Sequence, residues 1–158
     1  MDKTLSSWSS VFTKTRIKYL WIYVTDRCNL KCSYCFYKFR NGRSAIDINN
    51  IKLLFRRIPN LRHSEFVISG CEPLLEWSLT QRLIAYLKSN FNNHIMLQTN
   101  ATLLDSKKIK SLKNNNVSLE LGLDGVLSTM SRQRINIDSY WGRIIKNINA
   151  AKDKGMRL

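Results

Sequence analysis

The sequence predicts an α/β protein built on a parallel sheet, with about four βα units. Three observations carry that reading. Four short apolar runs, at residues 19–25, 65–69, 94–99 and 117–123, have the length of strands. Longer stretches with apolar residues at helical spacing lie between and after them. The two kinds of segment alternate along the chain, the pattern of parallel strands joined by right-handed crossover helices.

Taken in order, residues 1–18 form a polar lead-in with no clear element, and residues 19–158 form the folded unit. Tyr19 to Val24 is apolar at every position, which predicts a first strand covered on both faces, as in a parallel sheet. Asp47 is a candidate N-cap, and Ile48, Ile51, Phe55 and Ile58 then keep helical spacing until Pro59 stops the helix. After the second strand, Leu79, Leu83, Ile84 and Leu87 mark a second helix. After the third, Asp105 opens a helix carrying Ile109 and Leu112, and Asn114, Asn115 and Asn116 end it. After the fourth, Ser139 opens a helix with Trp141, Ile144, Ile145 and Ile148 inward and Gly155 as its stop. Met156, Arg157 and Leu158 stand where a fifth strand is expected to begin.

Composition narrows the function classes. The chain has 158 residues, 44% hydrophobic and 23% charged, which excludes fibrous and disordered classes and leaves one globular domain. Four cysteines are too sparse for a disulfide scaffold. No segment approaches the ~20 apolar residues that span a bilayer. The run from Tyr19 has no small-residue cleavage site after it, so a reducing cytoplasm and no membrane are expected. The formal charge of +15 favours anionic partners, or equally keeps a lysine-rich surface solvated. No single basic stripe stands out, and Tyr37, Lys38, Phe39 and Arg40 are only a weak aromatic–basic interleaving, so nucleic acid is not the expected partner.

The strongest chemical signal is a cysteine triplet. Cys28, Cys32 and Cys35 fall within eight residues, directly after the first strand. In parallel α/β folds ligands gather at that end of the strands. Thiolates are soft ligands for iron–sulfur clusters and zinc. Three of them can hold three irons of a 4Fe–4S cluster and leave the fourth iron open. The spacing alone also fits a zinc site completed by His63 or His94, or three buried thiols on one helix face.

The stretch from Tyr23 to Tyr37, with Cys28, Cys32 and Cys35, resembles the CxxxCxxC signature of radical S-adenosylmethionine (SAM) enzymes. Three later motifs extend the resemblance, each after an expected strand. Ser69-Gly70-Cys71-Glu72-Pro73-Leu74-Leu75 resembles the family's Gly-Gly-Glu-Pro motif. Gln98-Thr99-Asn100-Ala101-Thr102-Leu103-Leu104 is similar to the Thr-Asn-Gly-Thr-Leu-Leu stretch of its peptide- and protein-modifying branch. Leu121-Gly122-Leu123-Asp124-Gly125 looks like that branch's Ser-x-Asp-Gly, and Arg134 sits where the branch carries an arginine. The nearest resemblance is to SPASM-type maturases such as anaerobic sulfatase-maturating enzymes.

The resemblance implies an incomplete parallel (β/α) barrel of the radical SAM type. It implies a 4Fe–4S cluster on Cys28, Cys32 and Cys35 and SAM at its open iron. Reductive cleavage of SAM would give a 5′-deoxyadenosyl radical for hydrogen abstraction from a peptide or protein. Among cofactor-binding residues it implies Gly70, Glu72 on the SAM ammonium, Tyr34 near the adenine, Asn100 as a hydrogen-bonding partner and Arg134 on the carboxylate. Gln98 would face the substrate side. An electron donor such as flavodoxin or ferredoxin follows as a partner, as does a second chain completing the barrel. A non-catalytic remnant or split subunit is the alternative, because about four of the family's six units are present, and an RNA-modifying enzyme is a further one. Five positions depart from the family pattern: Cys71 and Ala101 stand where it has glycine, Gly122 where it has serine, and Met130-Ser131 where it has His-Asp.

Overall fold

The computed structural model describes residues 17–37, 44–58, 60–135 and 137–158. The lead-in through Arg16, the Lys38–Arg40 part of the aromatic–basic stretch and the helix-stopping Pro59 lie outside the described residues. Among the described residues, no helix is long and apolar enough to cross a membrane.

Four parallel strands form the sheet, as the alternation predicts: β1 (Tyr19–Tyr23), β3 (Glu65–Ser69), β4 (Ile95–Thr99) and β5 (Val117–Leu121), in the spatial order β1-β3-β4-β5. The register aligns Trp21 with Val67, Val67 with Met96, and Met96 with Ser118. Crossovers carry α1 (Ile48–Phe55), α2 (Trp77–Asn90) and α3 (Ser106–Asn114) between successive strands, and α5 (Asp138–Asp153) follows β5 after a shorter helix, α4 (Leu127–Gln133). The expected caps are present. The Asp47 carboxylate accepts from Asn49 N–H, and the Asp105 carboxylate accepts from Lys108 N–H, each at 2.8 Å. Gly155 ends α5 with φ +66°, the left-handed stop glycine permits.

One face of the sheet is packed on the helices. Ile22, Phe66, Ile68, Leu97 and Leu119 meet Leu83, Leu87, Ile109 and Leu112, and all are buried. Phe66 also stacks on Phe55 and meets Phe91 edge-on. On the other face Val67, Ser69 and Ser118 of the neighbouring strands are buried as well, but the residues of β1 are exposed, which corrects the expectation that β1 is covered on both sides. Ile22 is buried, but Trp21 is 47% exposed and Tyr19 and Tyr23 are similarly open. The reason is position: β1 is an edge strand with helices on one side only, so its alternate residues face the open surface.

Smaller differences have equally local causes. Ile145, expected inward, is 37% exposed, because α5 buries Ile144 and Ala151 and a residue one step on points about 100° away. Helix α1 ends at Phe55, short of Ile58. Strand β5 ends at Leu121 and leaves Leu123 exposed. A second sheet, absent from the sequence reading, pairs β2 (Lys31–Cys32) antiparallel with β6 (Arg134–Ile135), setting Cys32 opposite Arg134. After α5, the Leu119 N–H donates to the Arg157 carbonyl at 2.9 Å, so the expected fifth-strand segment already lies beside β5.

The one-sided core makes a direct prediction. Leu97→Ala in β4 should cost about 2–5 kcal/mol of unfolding free energy. Glu120→Ala on the open face of β5 should cost about 0.5 kcal/mol or less. Urea denaturation of the two variants measures the difference.

Candidate functional site

The C-terminal ends of the four parallel strands carry the chemistry, and the first contact that shapes them is backbone on backbone. Past the end of the β1–β3 ladder, Val24 N–H donates to Ser69 O, Cys71 N–H to Thr25 O and Glu72 N–H to Arg27 O, at 2.8, 2.9 and 2.9 Å. Gly70 lies in this crossing with φ +136°, and a Cβ there would sit 2.7 Å from the Thr25 carbonyl oxygen. Only glycine fits such a position, for both its dihedral and its clearance. Thr25 is fixed on its other side, its hydroxyl donating to Ser44 O at 2.9 Å.

Glu72 is fully buried and ties the loop after β3 to the end of β4. Its Oε1 accepts from Leu74 N–H at 3.0 Å and the Thr99 hydroxyl at 2.8 Å, and its Oε2 from Asn100 N–H at 2.9 Å. Burial pushes its carboxyl above the usual carboxylate range, and these hydrogen bonds pull the other way. Asn100 is held in turn. Its Oδ1 accepts from Thr102 N–H at 3.0 Å, and its Nδ2 donates to Asn29 Oδ1 at 3.1 Å and lies 3.8 Å from Cys28 Sγ. The loop after β4 is thus fastened to the cysteine segment. Ala101, where a glycine was expected, takes the left-handed conformation with φ +62°, secured by Asn147 donating to its carbonyl.

A third group closes the arrangement. Asp124 Oδ2 accepts from Arg134 Nε at 2.5 Å and from the Tyr34 hydroxyl at 2.7 Å. The Arg134 guanidinium lies 5.8 Å from the Tyr34 ring centroid. The hydrogen bond from Arg134 holds the Asp124 carboxyl below the usual carboxylate range. Burial pushes the Cys32 thiol up, and the Arg134 guanidinium opposes that shift.

These loops enclose a cavity of about 120 Å³ whose wall includes Cys28, Cys32, Cys35, Gly70, Cys71, Asn100 and Arg134. Six of the eight residues singled out from the sequence therefore meet at one place. Glu72 sits behind the wall, and Tyr34 stands outside it, 53% exposed. Sequence reasoning missed Asn29, a variable position inside the CxxxCxxC stretch, and assigned no role to Asp124, the aspartate of the Ser-x-Asp-Gly stretch. All four cysteines are thiols.

The donor set has the chemistry of an iron–sulfur site: three soft thiols border one cavity. Neither histidine of the zinc alternative reaches the cavity. His94 lies at the opposite end of the strands, its Nδ1 3.1 Å from Glu65 Oε2 and its Nε2 2.8 Å from the Ser118 hydroxyl. His63 is exposed in the turn before β3.

Comparison with known proteins gives the family and the likeness of fold. The family described as the Radical SAM superfamily matches residues 22–158. A cysteine-type anaerobic sulfatase-maturating enzyme of Clostridium perfringens is 34% identical over 116 residues, covering 62% of this chain and 30% of that protein. A GTP 3′,8-cyclase of Clostridium acetobutylicum is 34% identical over 111 residues, covering 66% of this chain and 35% of that protein. Among solved structures, native anSMEcpe with bound AdoMet and Cp18Cys peptide superposes with a TM-score of 0.73 at 24% identity, over 90% of this chain and 42% of the other, a likeness of fold. The chain spans 30–42% of the length of these relatives.

The Asp124–Arg134 pair should show in the pH dependence of stability. Because its folded pKa is depressed, Asp124 contributes stability that is fully present above about pH 4 and is lost as pH falls through the folded value. Asp124→Asn should therefore cost about 1–2 kcal/mol at neutral pH. In urea melts across pH, the gap between variant and wild type should shrink towards zero in acid.

Proposed function

This chain belongs to the radical SAM superfamily, and on that premise we propose that its cavity holds a 4Fe–4S cluster on Cys28, Cys32 and Cys35 with SAM beside it. The observation that carries the proposal is the meeting of three thiols at CxxxCxxC spacing with Gly70, Asn100 and Arg134 in one wall, at the strand ends where parallel folds bind ligands. When bound and reduced, such a cluster supplies the electron that splits a carbon–sulfur bond of SAM and so starts hydrogen abstraction from a substrate.

The chain's own residues bind and orient. Arg134, its Nε engaged by Asp124, keeps its terminal nitrogens for the SAM carboxylate, and Gly122 leaves room beside them, since a Cβ there would lie 3.4 Å from the nearer one. Glu72 supplies negative charge at the amino end. It does so from behind the wall, both oxygens holding the loops in place, and its burial strengthens attraction for an ammonium on the cavity side. Asn100 offers its amide next to Cys28, and Gly70 keeps the backbone close to the cofactor without a side chain in the way. Tyr34 flanks the adenine from the rim, anchored through Asp124.

The substrate we propose is a peptide or protein. Support comes from the Gln98–Leu104 motif, from the match to a sulfatase-maturating enzyme and from the likeness to a structure with a bound peptide. A nucleotide is the rival, carried by the equally high identity to a GTP 3′,8-cyclase. A flavodoxin or ferredoxin would deliver the electron, and further polypeptide, on this or a second chain, would cover the open face of the sheet.

Two measurements test the cofactor reading. Anaerobic reconstitution should load about four irons and four sulfides per chain, and the triple Cys→Ala variant of Cys28, Cys32 and Cys35 should lose them. Iron retained by that variant would remove the three cysteines from the site. Glu72→Gln should weaken SAM binding about tenfold or more in calorimetry, the equivalent of one charge-assisted hydrogen bond.

A further inference from the structure

The cavity wall holds four thiols, and the fourth is unused by the function just proposed. Cys71 borders the same space as Cys28, Cys32 and Cys35. Backbone contacts fix its place. Cys71 N–H donates to Thr25 O at 2.9 Å, Glu72 N–H donates to Arg27 O at 2.9 Å, and Gly70 presses on the same Thr25 carbonyl. Residue 71 is thereby held against the segment that leads directly into Cys28. A thiol filling a gap in the core would be sealed into it. This one is half-buried and borders the same cavity as the other three thiols.

We propose that Cys71 is a displaceable fourth ligand of the cluster. It closes the remaining iron when SAM is absent and gives the position up when SAM binds. This rests on the reading that the other three cysteines hold a 4Fe–4S cluster. In the exchange the iron–sulfur bond to Cys71 breaks, and the amino nitrogen and a carboxylate oxygen of SAM bond to the same iron. The proton that the ammonium loses passes to the released thiolate, and no electron moves. A thiol tethered at the cavity wall competes at high effective concentration, so it occupies the iron until a chelating ligand arrives. A cluster with four thiolates has no open iron, so the resting site is protected and SAM is the signal that opens it.

The experiment uses the full chain, wild type and the variants Cys71→Ala and Cys71→Ser, each reconstituted anaerobically and assayed for iron and sulfide. Controlled ferricyanide oxidation removes an iron that lacks a thiolate most readily, and the three-iron product is followed by electron paramagnetic resonance. Without SAM, the wild type should convert at least tenfold more slowly than either variant. Addition of SAM to the reduced wild type should change its spectrum. Equal conversion rates with about four irons in all three proteins would overturn the fourth ligand and leave the three-cysteine cluster standing. A wild-type spectrum indifferent to SAM, beside variants that respond, would also overturn the proposal, because Cys71 would then be a fixed ligand. A wild type that assembles no cluster would sink both readings.

Discussion

The carbonyl oxygen of Thr25 receives the Cys71 N–H at 2.9 Å while Gly70 packs against it with no room for a Cβ, and the site is arranged around this crossing. Two parallel strands leave the sheet side by side, and their loops stay locked instead of splaying. The lock sets the start of the cysteine segment on one side and Cys71 and Glu72 on the other. Buried Glu72 carries the same constraint to the third strand end through Thr99 and Asn100, and Asn100 returns it to Cys28 through Asn29. The wall is therefore a closed circuit of backbone and side-chain bonds. Such a site is held in shape without a ligand, which lowers the ordering cost of binding one.

The sheet beneath explains which surface is left for a substrate. Helices cover one face and bury its aliphatic residues; on the other face Val67 and Ser69 of β3 are buried, while Glu120 and the aromatic residues of β1 are exposed. Near the site, the Ser69 hydroxyl donates to Gln98 Oε1 at 2.5 Å and Gln98 Nε2 donates to Glu120 Oε1 at 3.2 Å, a polar row crossing three strands. The exposed Tyr19, Trp21 and Tyr23 continue that face across β1. The open face adjoins the cavity, where a substrate must reach the radical chemistry proposed for it.

Much of this was legible in the residues, for physical reasons that also mark the limit. Periodicity located all four sheet strands and four helices, because each buries a face and burial imposes a period. Asp47 and Asp105 were readable as caps because short carboxylates satisfy free N–H groups at helix starts. The two-residue strands β2 and β6 are too short to show a period, so the pairing that sets Arg134 opposite Cys32 could not be read. Apolar content at Tyr19 to Val24 suggested two covered faces, yet aromatic side chains tolerate exposure and edge position is not written locally. At the site, motif spacing gave the strand end on which each residue sits. It did not give side-chain direction, which is why Glu72 proves to be a buried strut and Tyr34 an exposed anchor.

The proposed function makes the strand ends of this chain a SAM-cleaving centre. Its most direct test is single-turnover chemistry: the reconstituted chain, reduced with dithionite under anaerobic conditions, is given SAM and the products are separated by chromatography and mass spectrometry. The account predicts 5′-deoxyadenosine and methionine in equal amounts from the wild type, and neither above background from Cys28→Ala. Intact SAM after incubation with a fully loaded, reduced cluster would contradict it.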